Sequence, residues 1–427
     1  MRGISTFLAA AAAVGLVSGG ALAADPPKGE ITVWSWNIAA EALDMVVPDF
    51  NKKYPDVKVH VVNMGHGDVV NKALAGCAAG GTDLPDVVTI ENTEAEVYWA
   101  RFPDCFANLK GFGVDKYKSA FPAFKWPELS AGDAIYSLPW DSGPVIMFYR
   151  RDLYQKAGVD AAKIATWDDL LAAAKKIDAV TGAKIGTINL GGDDDWFRML
   201  ANQRGCSYFN AGGDTITVNQ PGCVDALETI KKLYDAKLVA IGDWGQQIQN
   251  VKSGAVAGAL FGGWYEGTIR SNAPELAGKW GVYPIPAAAT GGTRAANIGG
   301  SSLAITASSK NKDAAWAYIE YALATNDGQI SMLKSRGLVP SLLSAMQAPY
   351  VTTPNDYWGG QKIWADLLAT MDKIPPYRGT QYYQDVRKIV TTVQNDYVAS
   401  GKFKSAKEAL DEAAKQAANA TSLPVAQ

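Results

Sequence analysis

The stretch from Ile31 alternates between short apolar runs and amphipathic segments. "ITVWSW" (31–36) is followed by "AAEALDMVVPDFNKKYP", in which Ala42, Met45, Val46 and Phe50 recur at helical spacing before Tyr54-Pro55 ends the run. "VKVHVVNM" reads as a second strand. After Gly65-His66-Gly67-Asp68 a short helix carries Val69, Val70, Ala73 and Leu74, and "DVVTI" supplies a third strand. Strand, helix, strand, helix, strand with short connections predicts a parallel sheet wound by helices. Ligands of such sheets bind beyond the carboxyl ends of the strands. Those ends carry Trp34-Ser35-Trp36-Asn37, Gly65-His66-Gly67-Asp68 and Glu91-Asn92-Thr93-Glu94.

A second set of elements follows an interruption at Pro139-Trp140-Asp141-Ser142-Gly143-Pro144, which suits a crossing between domains. "TWDDLLAAAKKIDAVTG" predicts a helix with Thr166 as N-cap, Gly182 just past its end and Leu170, Leu171, Ala174 and Ile177 on its apolar face. "KIGTINL" reads as a strand leading into Gly191-Gly192-Asp193-Asp194-Asp195-Trp196, with helices at 197–204 and 224–237. "AGALFGG" is a strand that stops at Gly263-Trp264-Tyr265. The composition near "KWGVYPIPAAATGGTRAANIGGSSLAIT" turns to Gly, Pro, Ala and Thr and reads as a linker. A helix over "NKDAAWAYIEYALAT", aromatic loops and a closing helix at 405–418 complete the chain.

The length of 427 residues, 48% hydrophobic, allows two or three compact domains. The 40 basic and 43 acidic residues show no clustered positive surplus, which argues against a nucleic-acid partner. Met1-Arg2-Gly3, an apolar stretch from Phe7 to Val17 and Ala21-Leu22-Ala23 form the pattern of a secretory signal peptide, so residues 1–23 are expected to be removed and the product exported to the periplasm. In an oxidising compartment the four cysteines can pair, Cys77 with Cys105 and Cys206 with Cys223, each loop contributing roughly 3 to 4 kcal/mol. No C-x2-C spacing supports a zinc site, and no metal or cofactor is expected.

Export combined with tryptophans at strand mouths points to sugar recognition. Pyranose rings present slightly positive C–H patches that stack on indole faces, and their hydroxyls pair with carboxylates and amides through charge-assisted hydrogen bonds. Trp34, Trp36, Trp140, Trp196 and Trp264 are candidate platforms, with Asn37, Glu91 and Asp141 as polar anchors. Against this, each indole could hold an ordinary place in a core, because tryptophan is highly buried on average.

In the order "ITVWSW", "NKKYPDVKV", "GTDLPDVVTI", "PWDSGPVIMFYRRDLYQKAGV", "TWDDLLAAAKKI", "FGGWYEG", "GVYPIPA" and "NIGGSSLAITASSKNKDAAWAYIEYA", the chain resembles the extracellular solute-binding proteins of carbohydrate ABC importers, the group that includes maltose-binding protein. The resemblance implies an α/β periplasmic-binding-protein fold of two lobes with parallel and mixed sheets, a monomer that closes on a carbohydrate and docks on the transmembrane permease subunits of an importer. It implies a first lobe of 24–143 plus 298–325 and a second of 144–297 plus 326–427. Carried over residue by residue, it places ligand contacts at Trp34, Trp36, Asn37, Glu91, Asn92, Trp140, Asp141, Trp264, Gly300 and Ser301, with a late contact at Tyr377-Arg378 or Tyr382-Tyr383. His66, Trp196, Tyr265 and Arg378 are further candidates from their positions.

Among enzymes, the competing class is a secreted glycoside hydrolase using two of Glu91, Glu94, Asp141 and Glu266. No G-x-S-x-G, H-E-x-x-H or P-loop appears, and only two histidines are present. A carrier of a non-sugar solute and an adhesion module also fit an exported chain of this composition. Asp193 to Asp195 lack the alternation and closing Glu of a calcium loop and read as a solvated, helix-capping cluster.

Overall fold

The computed structural model describes residues 26–427, so the signal peptide expected over 1–23 lies outside the described residues. The chain opens with strand β1 (Gly29–Trp36), helix α1 (Asn37–Lys53), β2 (Val57–Met64), α2 (His66–Ala78), β3 (Val87–Glu91), α3 (Ala95–Arg101) and β4 (Ser137–Pro139). It continues through β5 (Val145–Arg150), α4 (Trp167–Thr181), α5 (Asp195–Gln203), α6 (Trp244–Ser253), β6 (Gly258–Gly262) and β7 (Trp280–Pro284). It then returns with β8 (Ser301–Ile305), α7 (Lys312–Ala324) and α8 (Asn326–Arg336), and ends in α9 (Tyr383–Val398) and α10 (Ala406–Thr421).

Two sheets organise two lobes. The first has the order β2-β1-β3-β8-β4, with β1 parallel to β2 and β3, and β8 antiparallel to β3 and β4. The second is antiparallel, β6-β5-β7. Strand alternation gives each sheet two apolar faces. Ile31, Val33, Leu303 and Ile305 pack under α1 and α7, whereas Val88, Ile90 and Ala304 pack against Tyr98 and Trp99 on the other face. In the second sheet Val145 and Met147 face one core, Ile146 and Phe148 another.

Local signals account for several boundaries. Thr166 and Asp169 form a capping box at the start of α4, and Gly182 ends it with φ +73°, the left-handed conformation that glycine reaches without a Cβ penalty. Cys77 is bonded to Cys105 and Cys206 to Cys223. Two readings need correction. The Gly/Pro/Ala/Thr-rich stretch is not a linker throughout, because β7 and β8 stand at its ends and their side chains fill both sheets. "KIGTINL" forms only a two-residue strand, Thr187–Ile188, beside Ala240–Ile241, since the antiparallel sheet has taken the long apolar runs.

Three chain segments are stitched into a ribbon where the lobes meet. Val145 and Ile298 donate to Ala296 and Gly143 on one side; Ser142 and Ser341 donate to Val339 and Trp140 on the other. Beyond that ribbon Met332, Leu338, Leu342 and Ala345 lie in the core beneath the first sheet, and Val351 lies in a core of the second.

Candidate functional site

A cleft of about 710 Å³ opens between the two sheets, within the range of small-ligand pockets. The first lobe contributes strand ends. Trp36 is the last residue of β1, Asn37 turns the chain into α1, His66 begins α2 and Glu91 ends β3. Asn37 has φ +44°, a conformation that asparagine tolerates better than most residues. The turn sets the Trp36 indole at the mouth of the sheet, its ring edge-on to His66 with centroids 4.7 Å apart. Trp264 follows β6 and packs against the cores of both lobes, anchored by an Nε1–H bond of 3.1 Å to the Ile298 carbonyl. Trp244 at the start of α6 stands beside it, centroids 6.2 Å apart.

The rim beneath these rings is backbone. Asp141 accepts from the Ser301 N–H at 2.6 Å, and burial pushes its carboxyl up from the usual range despite nearby Lys125. Gly300 has φ +94°, and a Cβ there would stand 2.9 Å from the buried Lys125 amine, so only glycine fits.

The opposite wall is ionic and joins both lobes. His66 Nε2 lies 3.2 Å from Glu91 and 3.5 Å from Glu94. Across the cleft Arg387 of α9 reaches Glu94 at 3.4 Å, Asp193 at 3.0 Å and Asp194 at 3.3 Å. Arg198 of α5 bonds Asp194 at 3.0 Å, Tyr383 at 2.8 Å and Asp195, and stands 3.7 Å from Glu91. Burial opposes the His66 charge, but Glu94 and Glu91 outweigh it and hold the imidazole pKa up at about 10. Burial likewise opposes ionised Glu91, and His66 with the two arginines holds its carboxyl well below the usual range. The Asp193 to Asp195 run is therefore a correction to the solvated cap: Asp194 is 1% exposed and the group is locked between two arginines. Burial raises Asp194 and Asp195, while Arg387 and Arg198 overcome burial at Asp193 and lower it.

Of the residues singled out in the sequence, the cleft brings together Trp36, Asn37, His66, Glu91, Asp141, Trp264, Gly300 and Ser301. Six do not line it. Trp140, Trp196 and Tyr265 are core residues at 1, 2 and 1% exposure, because each ring packs into an apolar cluster of its lobe. Trp34 points to the α2 side, under the Lys72 amine at 6.0 Å, and Asn92 is buried behind Gly300 with its backbone N–H on that carbonyl. Arg378 is spent outside the cleft on Glu96 and the Gly212 carbonyl. The structure adds Trp244, Asp193, Asp195, Arg198 and Arg387, with Gln384, Lys388 and Thr391 on one face of α9. The spacing of 384, 387, 388 and 391 is a helical stripe, a signal present in the sequence but indistinguishable there from any solvated face.

Residues 35–329 match the family model of bacterial extracellular solute-binding proteins. The chain belongs to this family. A lactose-binding protein of Rhizobium radiobacter is 32% identical over 88% of this chain and 88% of its own length. An arabinooligosaccharide-binding protein of Bacillus subtilis is 27% identical, covering 90% of this solute-binding protein and 91% of the relative. Among solved structures, an ABC-transporter-associated binding protein of B. animalis subsp. lactis in complex with β-1,6-galactobiose superposes with a TM-score of 0.81 at 27% identity, over 94% of this chain and 100% of that one. The two-lobed architecture expected from the sequence is thereby established for this solute-binding protein.

Proposed function

We propose that the protein binds a small neutral oligosaccharide in the interlobe cleft and presents it to the permease of an ABC importer in the periplasm. One observation carries the reading: a cavity of about 710 Å³ is lined by three indoles, Trp36 from one lobe and Trp244 and Trp264 from the other, together with a cluster of mutually paired charges. The indoles supply stacking faces. Glu91, Asp193 and the arginines supply hydrogen-bonding groups whose charges already balance one another, which favours hydroxyls over a charged ligand. Trp36, Asn37, His66, Glu91, Asp141, Trp264, Gly300 and Ser301 act at the ligand, while Trp34, Asn92, Trp140, Trp196, Tyr265 and Arg378 act from behind it. We place the described part of the first lobe at 26–143 plus 298 to about 345, since Met332 of α8 and Leu338, Leu342 and Ala345 after it pack in its core.

The sugar-binding relatives support this class of ligand, and lactose is the first probe. The same geometry disfavours a hydrolase. Glu91 and Glu94 are held by His66 and the arginines, and Asp141 by the Ser301 amide. Glu266 is fully buried on Arg270 and the Trp358 indole, and the pair that does share a common point, Glu91 and Glu94 around His66, is already ion-paired, which disfavours the acid and nucleophile roles that glycoside hydrolysis requires. A thermal-shift panel of lactose, galactobioses, arabinooligosaccharides and uronic acids tests the proposal, because a ligand that binds the folded form raises the melting temperature. A rise with neutral di- or trisaccharides and unchanged sugar after prolonged incubation is expected. A flat response to the neutral sugars, or cleavage of one, overturns it.

A further inference from the structure

Beside the cleft, within the second lobe, lies a separate niche of about 10 Å³ walled by Trp196, Gln247, Asn189, Asp193, Asp195 and the apolar side chains of Ile188 and Phe261. It lies where the start of α5 meets α6. Trp196 is 2% and Gln247 6% exposed, and the indole Nε1–H of the first and the amide Oε1 of the second have no hydrogen-bond partner among the described residues. An indole nitrogen only donates and an amide oxygen only accepts. The two atoms are complementary, come from different helices, and are not bonded to each other. Leaving both unmade is costly, and native interiors avoid it by bonding such groups to protein or to ordered water.

We propose that the niche is a binding site for one structural water molecule, which accepts from Trp196 Nε1–H and donates to Gln247 Oε1. Three observations converge on water rather than another occupant. The volume matches a single water, which needs about 10–15 Å³ and two to four polar partners. A monatomic cation is disfavoured by the indole N–H that lines the space. The second water hydrogen has acceptors at hand, because Asp193 and Asp195 wall both the niche and the sugar cleft.

The site has a role in recognition. Trp244 stands in the cleft three residues before Gln247 on α6, and Asp195 immediately precedes Trp196 on α5. The water ties the helix that carries an aromatic platform to the helix that carries the ionic wall. Gln247 is thus a positioning residue for Trp244, acting through a bound water without touching the ligand.

The experiment is water-selective nuclear Overhauser spectroscopy on the full-length mature protein with 15N-labelled tryptophan, the Trp196 indole signal being assigned with Trp196→Phe. A rotating-frame cross-peak from water to that indole N–H, of the sign of dipolar contact and opposite to chemical exchange, is expected. Gln247→Leu should abolish it and shift the Trp244 indole resonance. Because the wild-type spectrum decides alone, a Gln247→Leu chain that fails to fold does not rescue the idea. Absence of the cross-peak in the wild type, or a crystal structure with the Gln247 carbonyl bonded directly to the indole, overturns it. Neither readout involves sugar, so failure here is separable from failure of the proposed function.

Discussion

The two walls of the cleft are built on opposite principles. The aromatic wall consists of separate anchors: Trp36 is set by one strand end and a single turn at Asn37, and Trp264 by one hydrogen bond and its packing. The ionic wall is a mesh in which Arg387 and Arg198 each hold three or more partners drawn from both lobes. Deleting one member of the first wall removes a surface. Deleting one member of the second leaves several charges to reorganise, and an unpaired buried charge is the larger structural penalty.

Substitutions can sharpen this contrast, and Trp264→Ala should have the largest effect on sugar binding. It removes a platform that also packs on both lobes, so stability should fall by about 3 kcal/mol or more and sugar binding by over a hundredfold in calorimetric titration. Trp36→Ala, at a strand end, should weaken binding about thirtyfold, roughly 2 kcal/mol, with a much smaller change in melting temperature. If both variants lost stability equally, the picture of separate anchors would fail.

Next in size is Gly379→Ala. A Cβ at 379 would stand 1.9 Å from the Thr93 carbonyl, so the loop before α9 could not keep its seat against the Glu91–Glu94 segment. Because Arg387 follows on α9, the ionic wall should lose its register. An approximately tenfold loss of affinity is expected by titration, with the second lobe's core still giving native near-ultraviolet circular dichroism.

The pH dependence distinguishes the walls further. His66 is held at about 10 against an ordinary 6.5, so its stabilisation is complete below 6.5, declines above it and is gone past about 10. Glu91 is lowered, so its contribution is present above its ordinary 4.5 and lost as pH falls below. Melting temperature of the ligand-free protein should therefore peak between these two ordinary values and decline toward alkaline pH. His66→Gln should flatten the alkaline decline; an unchanged slope would show that the ion pairs with His66 do not contribute.

The smallest effect is expected at Arg378→Ala. Its 3.4 Å contact with Glu96 is exposed, and such pairs contribute about 0–1 kcal/mol, so sugar affinity should change less than about twofold. A tenfold loss would move Arg378 into the binding machinery.

The same contrast explains what the sequence revealed. Trp36 and Glu91 were legible because a period-2 strand followed by a helix places its last residue at the mouth of a sheet, a local rule. Trp140, Trp196 and Tyr265 share the local pattern but end in cores, because burial of an aromatic is decided by partners far along the chain. The ionic wall was illegible for the same reason. Arg387 meets Asp193 across 194 positions and Glu94 across 293, and no spacing rule joins them. The fold was clearer than the site: alternation and caps such as Thr166 with Gly182 act within a few residues, and the pairing of Cys206 with Cys223 spans a short loop.

The path of the chain between the lobes has one more consequence. Since the chain passes between the lobes near Gly143, near Ile298 and again between Ala345 and Val351, and each half is assembled from stretches far apart in the chain, a proteolytic nick in any single passage leaves two covalent bridges intact. A clipped molecule should migrate as fragments in denaturing gels yet elute undivided from a sizing column.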